Sequence, residues 1–237
     1  MQRRTPIFIV TSSRPRVGKT LIARALVEYF GAQSRPVQAF DVNPDEVSLL
    51  DHLPAYTAAA SIRDTRGEMA LFDQLVMDDE VPKVVDLGHT MFERFFAVMQ
   101  QVGFAAEARR RSVVPMVLFV ADPDDRAKQG YAALNARFAE LARVPVLNEA
   151  VPQVARYRDN FPPSRGGGPP VGIPALSAVL RSVVERRGFS FVGYAAKTTD
   201  TTAELYNWIR RTFMVFRELE VRLLLGELKP PPLQHSA

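Results

Sequence analysis

Residues 6–21 read PIFIVTSSRPRVGKTL, and the change of character within that stretch decides the fold. Residues 6–11 are β-branched and aromatic, the composition of a buried strand. Residues 20–30 then place Leu21, Ala25, Leu26 and Phe30 at helical spacing. Between them stands Ser13-Arg14-Pro15-Arg16-Val17-Gly18-Lys19-Thr20, which fits G-x-x-x-x-G-K-[ST] with Ser13 at the position of the first glycine. Such a loop holds phosphate. Its backbone N–H groups converge on the β-phosphate, Lys19 reaches the β- and γ-phosphates, and the Thr20 hydroxyl holds Mg²⁺. A surface turn can contain Gly-Lys-Thr by chance; the strand before it and the helix after it give the match its weight. The expected nucleotide contacts are therefore Ser13, Pro15, Arg16, Val17, Gly18, Lys19, Thr20 and Leu21.

Outward from this loop the pattern alternates. A strand over 37–40 ends at Asp41, and residues 46–60 and 68–77 read as helical. Val84 and Val85 sit in a strand that ends at Asp86, followed by a helix over 90–102. The longest β-like run is 113–121, followed by a helix over 124–142 and a strand over 144–147. Residues 159–172 hold four prolines and four glycines, which makes a loop. Beyond it come a helix over 175–187, a strand candidate over 189–195 and an amphipathic helix over 201–225. Strands alternating with helices imply an α/β fold: a mostly parallel, twisted sheet flanked by helices. One domain is expected over residues 1–228, with a disordered tail over 229–237.

Asp41 and Asp86 each stand at the C-terminal end of an expected strand, where open α/β sheets bind ligands. A carboxylate there can hold Mg²⁺, directly or through water, or position an attacking water. Each can equally serve as a turn or helix-cap aspartate. Thr20, Asp41 and Asp86 are the expected metal ligands, and Lys19 and Asp41 the expected catalytic groups.

The composition narrows the field. The 237 residues are 47% hydrophobic, enough for one substantial core. Cysteine is absent, which excludes disulfides and thiolate metal sites. His52, His89 and His235 lack metal-ligand spacing, and no Ser-His-Asp arrangement can be assembled. The apolar run after Arg3 and Arg4 is too short for a signal peptide and leads straight into the phosphate loop. No stretch approaches the roughly 20 apolar residues of a membrane span. A cytoplasmic protein is expected. The formal charge is +4 and nearly all basic residues are arginine, which permits contact with DNA or an anionic membrane without demanding either. Arg109-Arg110-Arg111, Arg186-Arg187 and Arg210-Arg211 read first as solvated helix faces. The stripe Leu205, Trp208, Ile209, Phe213, Phe216, Leu219 and Leu223 reads first as a core-packing face, and only second as a lipid-binding one.

Three segments together resemble the ParA/MinD class of P-loop ATPases, a SIMIBI-like group with a deviant Walker A loop, K-G-G-x-G-K-[ST]. Aligned on Gly18-Lys19-Thr20, the class's signature lysine falls on Arg14 and its two glycines on Pro15 and Arg16. The second motif of the class, D-x-D-P-Q, is matched by Asp41, Asn43, Pro44 and Asp45, and the third by Val84-Val85-Asp86-Leu87-Gly88. The resemblance implies ATP and Mg²⁺ as ligands and slow hydrolysis. It also implies an ATP-dependent homodimer in which Arg14 reaches the partner's nucleotide as a further catalytic group. Asn148, which ends Pro145-Val146-Leu147-Asn148, takes the place of an adenine-contacting asparagine. Such a switch would position or assemble a cellular complex through a protein partner or cargo, in the cytoplasm or at the periphery of a membrane or nucleoid. Arg16 in place of glycine and Asn43 in place of aspartate point to low turnover, so a catalytically weak nucleotide-binding scaffold is the alternative. Residues 11–20 are also similar to the loop T-S-x-x-P-G-x-G-K-[ST] of bacterial tyrosine kinases of polysaccharide export. The chain lacks their C-terminal tyrosine cluster, its last tyrosine being Tyr206. A partner in polysaccharide export is a further alternative.

Overall fold

The computed structural model describes residues 4–43, 48–164 and 166–227. Pro44 and Asp45 of the second motif, His235 and the expected disordered tail over 229–237 lie outside these residues. Strands β1 (Thr5–Thr11), β2 (Gln38–Val42), β3 (Thr57–Ala59), β4 (Lys83–Leu87), β5 (Val113–Val120), β6 (Ala142–Asn148) and β7 (Val171–Ile173) form one sheet. Their order is β3-β2-β4-β1-β5-β6-β7, and every neighbouring pair runs parallel. Burial on both faces accounts for the near-continuous apolar runs of the central strands. Ile7, Phe8, Ile9 and Val10 of β1 are fully buried, as are residues 116–120 of β5.

The helices are α1 (Lys19–Ala32), α2 (Leu49–His52), α3 (Thr65–Leu75), α4 (Phe92–Gln101), α5 (Phe104–Arg110), α6 (Asp125–Arg137), α7 (Ala178–Val184), α8 (Phe191–Lys197) and α9 (Glu204–Glu227). They cover opposite faces of the sheet. Phe8 meets Phe30 of α1, whereas Phe119 meets Phe92 of α4 and Tyr131 of α6. Phe8 is in register with Met116, an odd number of residues before Phe119, so the two phenylalanines point to opposite sides. The α1 face is closed by α9, where Phe213 and Phe216 meet Tyr29 edge-on and the Tyr29 hydroxyl donates to Glu220 at 2.7 Å. Leu205, Trp208, Ile209, Phe216, Leu219 and Leu223 are buried, so this face of the long helix packs on the core.

Several sequence expectations are corrected. Residues 46–60 do not form one helix. The described part holds only the short α2, with a Ser48–Asp51 capping box, and then β3 at the sheet edge. Pro54 disfavours helical backbone at Leu53, which frees the chain to extend. The helix expected over 124–142 stops at Arg137. Buried Arg143 donates to the Phe138 carbonyl and, at 2.6 Å, to Asn135 Oδ1, satisfying the end of α6 from the neighbouring strand. The strand candidate over 189–195 is instead α8. Ser190 accepts from Gly193 N at 3.0 Å, and Glu28 of α1 accepts from Val192 N at 3.1 Å. These first-turn amides are bonded as a helix start requires. The seventh strand lies at 171–173, at the end of the loop expected over 159–172. Arg222 of α9 holds that loop through the Gly167 and Pro169 carbonyls, at 3.1 and 2.6 Å.

Candidate phosphate-binding site

The segment between β1 and α1 emerges at the C-terminal edge of the sheet, next to the strand positions that carry the two aspartates. Asp86 of β4 is in register with Val10 of β1 on one side and with Asp41 of β2 on the other. Register partners in a parallel pair point to the same face, with their strands about 4.8 Å apart. The fold thus brings together two carboxylates that are 45 positions apart in sequence (86 − 41). Asp86 is fully buried and Asp41 is 6% exposed. The Asp41 carboxylate is held by backbone amides that follow β2. One oxygen accepts from Asn43 N at 3.0 Å and the other from Leu50 N at 2.9 Å.

Helix α1 begins at Lys19, directly after Gly18. Its N-cap residue, Gly18, has no side chain to cap it, and its first turn holds no acidic residue. Its first amides and the positive end of the helix dipole are therefore directed into the loop, the arrangement that binds an anion. Lys19 is buried to 6% exposure, and its ammonium donates to the Arg14 carbonyl at 2.7 Å across the mouth of the loop. Thr20 and Leu21 occupy the first helical turn, both half-buried.

Two non-helical φ values shape the loop. Gly18 adopts φ +94°, which glycine takes readily. Arg16 adopts φ +58°, in the left-handed region that usually favours glycine. Arg16 thus takes a backbone conformation that a glycine would adopt without strain. The Arg16 side chain is exposed, whereas Val17 beneath it is 2% exposed and anchors the loop in the core.

The front of the loop leans on the start of α6. The Ser13 hydroxyl donates to the Arg126 carbonyl at 2.8 Å, and the Arg14 guanidinium lies 3.5 Å from Asp124. Asp124 in turn caps α6 by accepting from Arg126 N at 2.8 Å. In this structure Arg14 is thus paired within its own chain. Pro15, the next residue, is half-buried. The rear of the loop rests on β6. Asn148, 5% exposed, donates from Nδ2 to the Val17 carbonyl at 2.8 Å. Asn148 therefore lies beside the loop, with its amide turned to loop backbone.

The remaining sequence candidates disperse. Glu107 accepts from both Arg110 and Arg111, and these hydrogen bonds hold its carboxyl down to about 2. Two of the three clustered arginines thus share one counter-charge. Arg187 pairs with Asp51 at 2.8 Å. Burial and the nearby Arg24 cation lower the His52 pKa below its ordinary value. Among the described residues no group of three or more His, Asp or Glu side chains forms a metal cage. None of the described helices is long and apolar enough to cross a membrane.

Sequence reasoning missed the buried anchor of the helix that carries Lys19 and Thr20. Arg24 pairs with Glu28 at 3.4 Å and donates to the Val184 and Phe189 carbonyls, while Ser190 donates to Glu28 at 2.6 Å. Arginine at a buried helical position, one turn before a glutamate, was the available signal.

No family model and no curated protein matches the chain. Among solved structures it is similar to the septum site-determining protein MinD from Pyrococcus horikoshii OT3, complexed with Mg-ADP. The two are 16% identical over 92% of this chain and 98% of that one, with a TM-score of 0.46.

Proposed function

We propose that the chain is an ATP-binding, slowly hydrolysing ATPase of the ParA/MinD type, a nucleotide-dependent dimer switch in the positioning or assembly of a cellular complex. The observation that carries this reading is the juxtaposition at one sheet edge: an α1 N-terminus capped only by glycine, with buried Lys19, beside Asp41 and Asp86 in register. Lys19 neutralises the terminal phosphates, and the loop amides bind the β-phosphate. The oxygen donors Thr20, Asp41 and Asp86 fit Mg²⁺. This ion keeps several waters and takes one or two carboxylates plus phosphate, so a closed protein cage is not required. When bound, Mg²⁺ would supply electrostatic neutralisation of charge on the transferred phosphoryl group. Arg14 would leave Asp124 for the nucleotide of a second copy, where a cation from each subunit offsets repulsion between two triphosphates.

A second reading, a nucleotide-binding scaffold with negligible hydrolysis, draws on two features. Arg16 occupies a glycine-type conformation, and both Asp41 oxygens already accept backbone amides. Size-exclusion chromatography with light scattering, in ADP, ATP and a non-hydrolysable ATP analogue, separates the readings. The switch gives a dimer with the triphosphates only. A scaffold binds ATP and stays monomeric throughout. A protein that binds none of the three refutes the phosphate-loop assignment itself.

A further inference from the structure

We infer that Asn148 is a positioning residue of the phosphate loop, which aims the Gly18 N–H at phosphate and acts on every nucleotide irrespective of its base. This inference rests on the phosphate-loop reading above and assigns a role within that site.

The argument begins with the two polar atoms of the side chain. Nδ2 donates to the Val17 carbonyl at 2.8 Å, and Oδ1 accepts from Ala150 N at 3.1 Å. A carbonyl can only accept and a backbone amide can only donate, so the two partners fix which end of the amide is nitrogen. Asn148 ends β6, in register with Ile173 of β7, and is 5% exposed. Strand pairing, burial and two hydrogen bonds therefore hold it in one orientation.

The consequence for the loop follows from peptide geometry. The Val17 carbonyl and the Gly18 N–H belong to one planar peptide, and among the described residues no peptide is cis. In a trans peptide the C=O and N–H point in opposite directions. Asn148 draws the carbonyl towards β6, so the Gly18 N–H is turned the other way, away from β6. Gly18 is also in close contact with this amide: a Cβ there would lie 2.4 Å from Asn148 Nδ2. The missing side chain at Gly18 thus serves the left-handed φ of +94° and the approach of Asn148 together. If the carbonyl were released, the peptide could rotate and present oxygen instead of N–H to an anion.

The test separates a group that aims the loop from one that reads the base. Binding of Mg-ATP and of Mg-tripolyphosphate, which has no base, is measured by calorimetry for the wild type, Asn148→Ala and the near-isosteric Asn148→Asp. Positioning predicts that each variant weakens both ligands by the same factor, about tenfold, the scale of one lost hydrogen bond. Loss of ATP affinity with tripolyphosphate unchanged would assign a base contact and overturn the inference, as would unchanged binding of both ligands. A wild type that binds neither refutes the phosphate loop, a result distinct from any variant effect. Should the variants not fold, the wild-type protein decides by NMR. The Asn148 side-chain amide signals should move alike on adding ADP or pyrophosphate with Mg²⁺. Movement with ADP alone overturns the positioning role.

Discussion

The front and the rear of the phosphate loop are held by different kinds of contact. The front, Ser13 to Arg16, is half-exposed or exposed and is tied to α6 by one hydroxyl bond and the Arg14–Asp124 pair. With its side chains 32% and 39% exposed, that pair is worth no more than about 1 kcal/mol. The rear, Val17 to Thr20, begins with a core residue, passes a glycine packed on Asn148 and ends in a helix whose Lys19 is buried. Measured against G-x-x-x-x-G-K-[ST], the departure at Ser13 falls in the front, and the rear keeps Gly18-Lys19-Thr20. The front therefore rests on weak contacts that face solvent, and the rear on backbone direction and close packing.

The largest effect expected from breaking the rear is on nucleotide affinity. Lys19→Ala should weaken ATP binding at least tenfold by calorimetry, because a charged hydrogen bond to phosphate contributes roughly 1.5–3 kcal/mol. Unchanged affinity in the folded variant would remove Lys19 from the site. Gly18→Ala should come next. A Cβ must adopt a left-handed φ and displace Asn148, and the conformational part alone costs about 1–2 kcal/mol. Chemical denaturation should show that loss together with weaker ATP binding; wild-type stability would mean that the Val17–Gly18 peptide has another conformation.

Changes in the front should be smaller and of a different kind. Arg14→Ala should retain ATP binding within a few-fold yet lose ATP-dependent dimerisation, and Arg14→Lys should keep both. Light scattering that finds the alanine variant dimerising normally would end the trans role. The smallest effect should be favourable. Arg16→Gly removes left-handed strain but adds chain entropy in the unfolded state, for a net stabilisation of about 0.5–1 kcal/mol. A melting temperature that falls would show that the Arg16 side chain contributes more than its backbone strain costs.

Two of the expectations that failed turned on contacts distant in sequence. Residues 189–195 are aromatic and β-branched and read as a strand, yet Ser190 and Glu28 bind the amides of Gly193 and Val192 and start a helix. Glu28 lies on α1, more than 150 residues earlier, out of reach of any local pattern. Strand β3 was hidden because its three residues gain stability from pairing with β2 rather than from their own composition.

What the sequence determined by itself was whatever rests on local pattern. The apolar run of β1, the helical spacing of α1 and Gly18-Lys19-Thr20 between them were legible, because strand and helix periodicity and glycine's freedom of φ are properties of neighbouring residues. The expected positions of Asp41 and Asp86 at strand ends were legible for the same reason. Only the tertiary structure decided that β2 and β4 would be neighbours and set those two carboxylates side by side. It alone also set the Asn148 amide on the Val17 carbonyl and paired Arg14 with Asp124. These relations depend on strand order and on side chains meeting across more than 100 residues. Such meetings are fixed by how the sheet closes its core on both faces, which no stretch of the chain encodes alone.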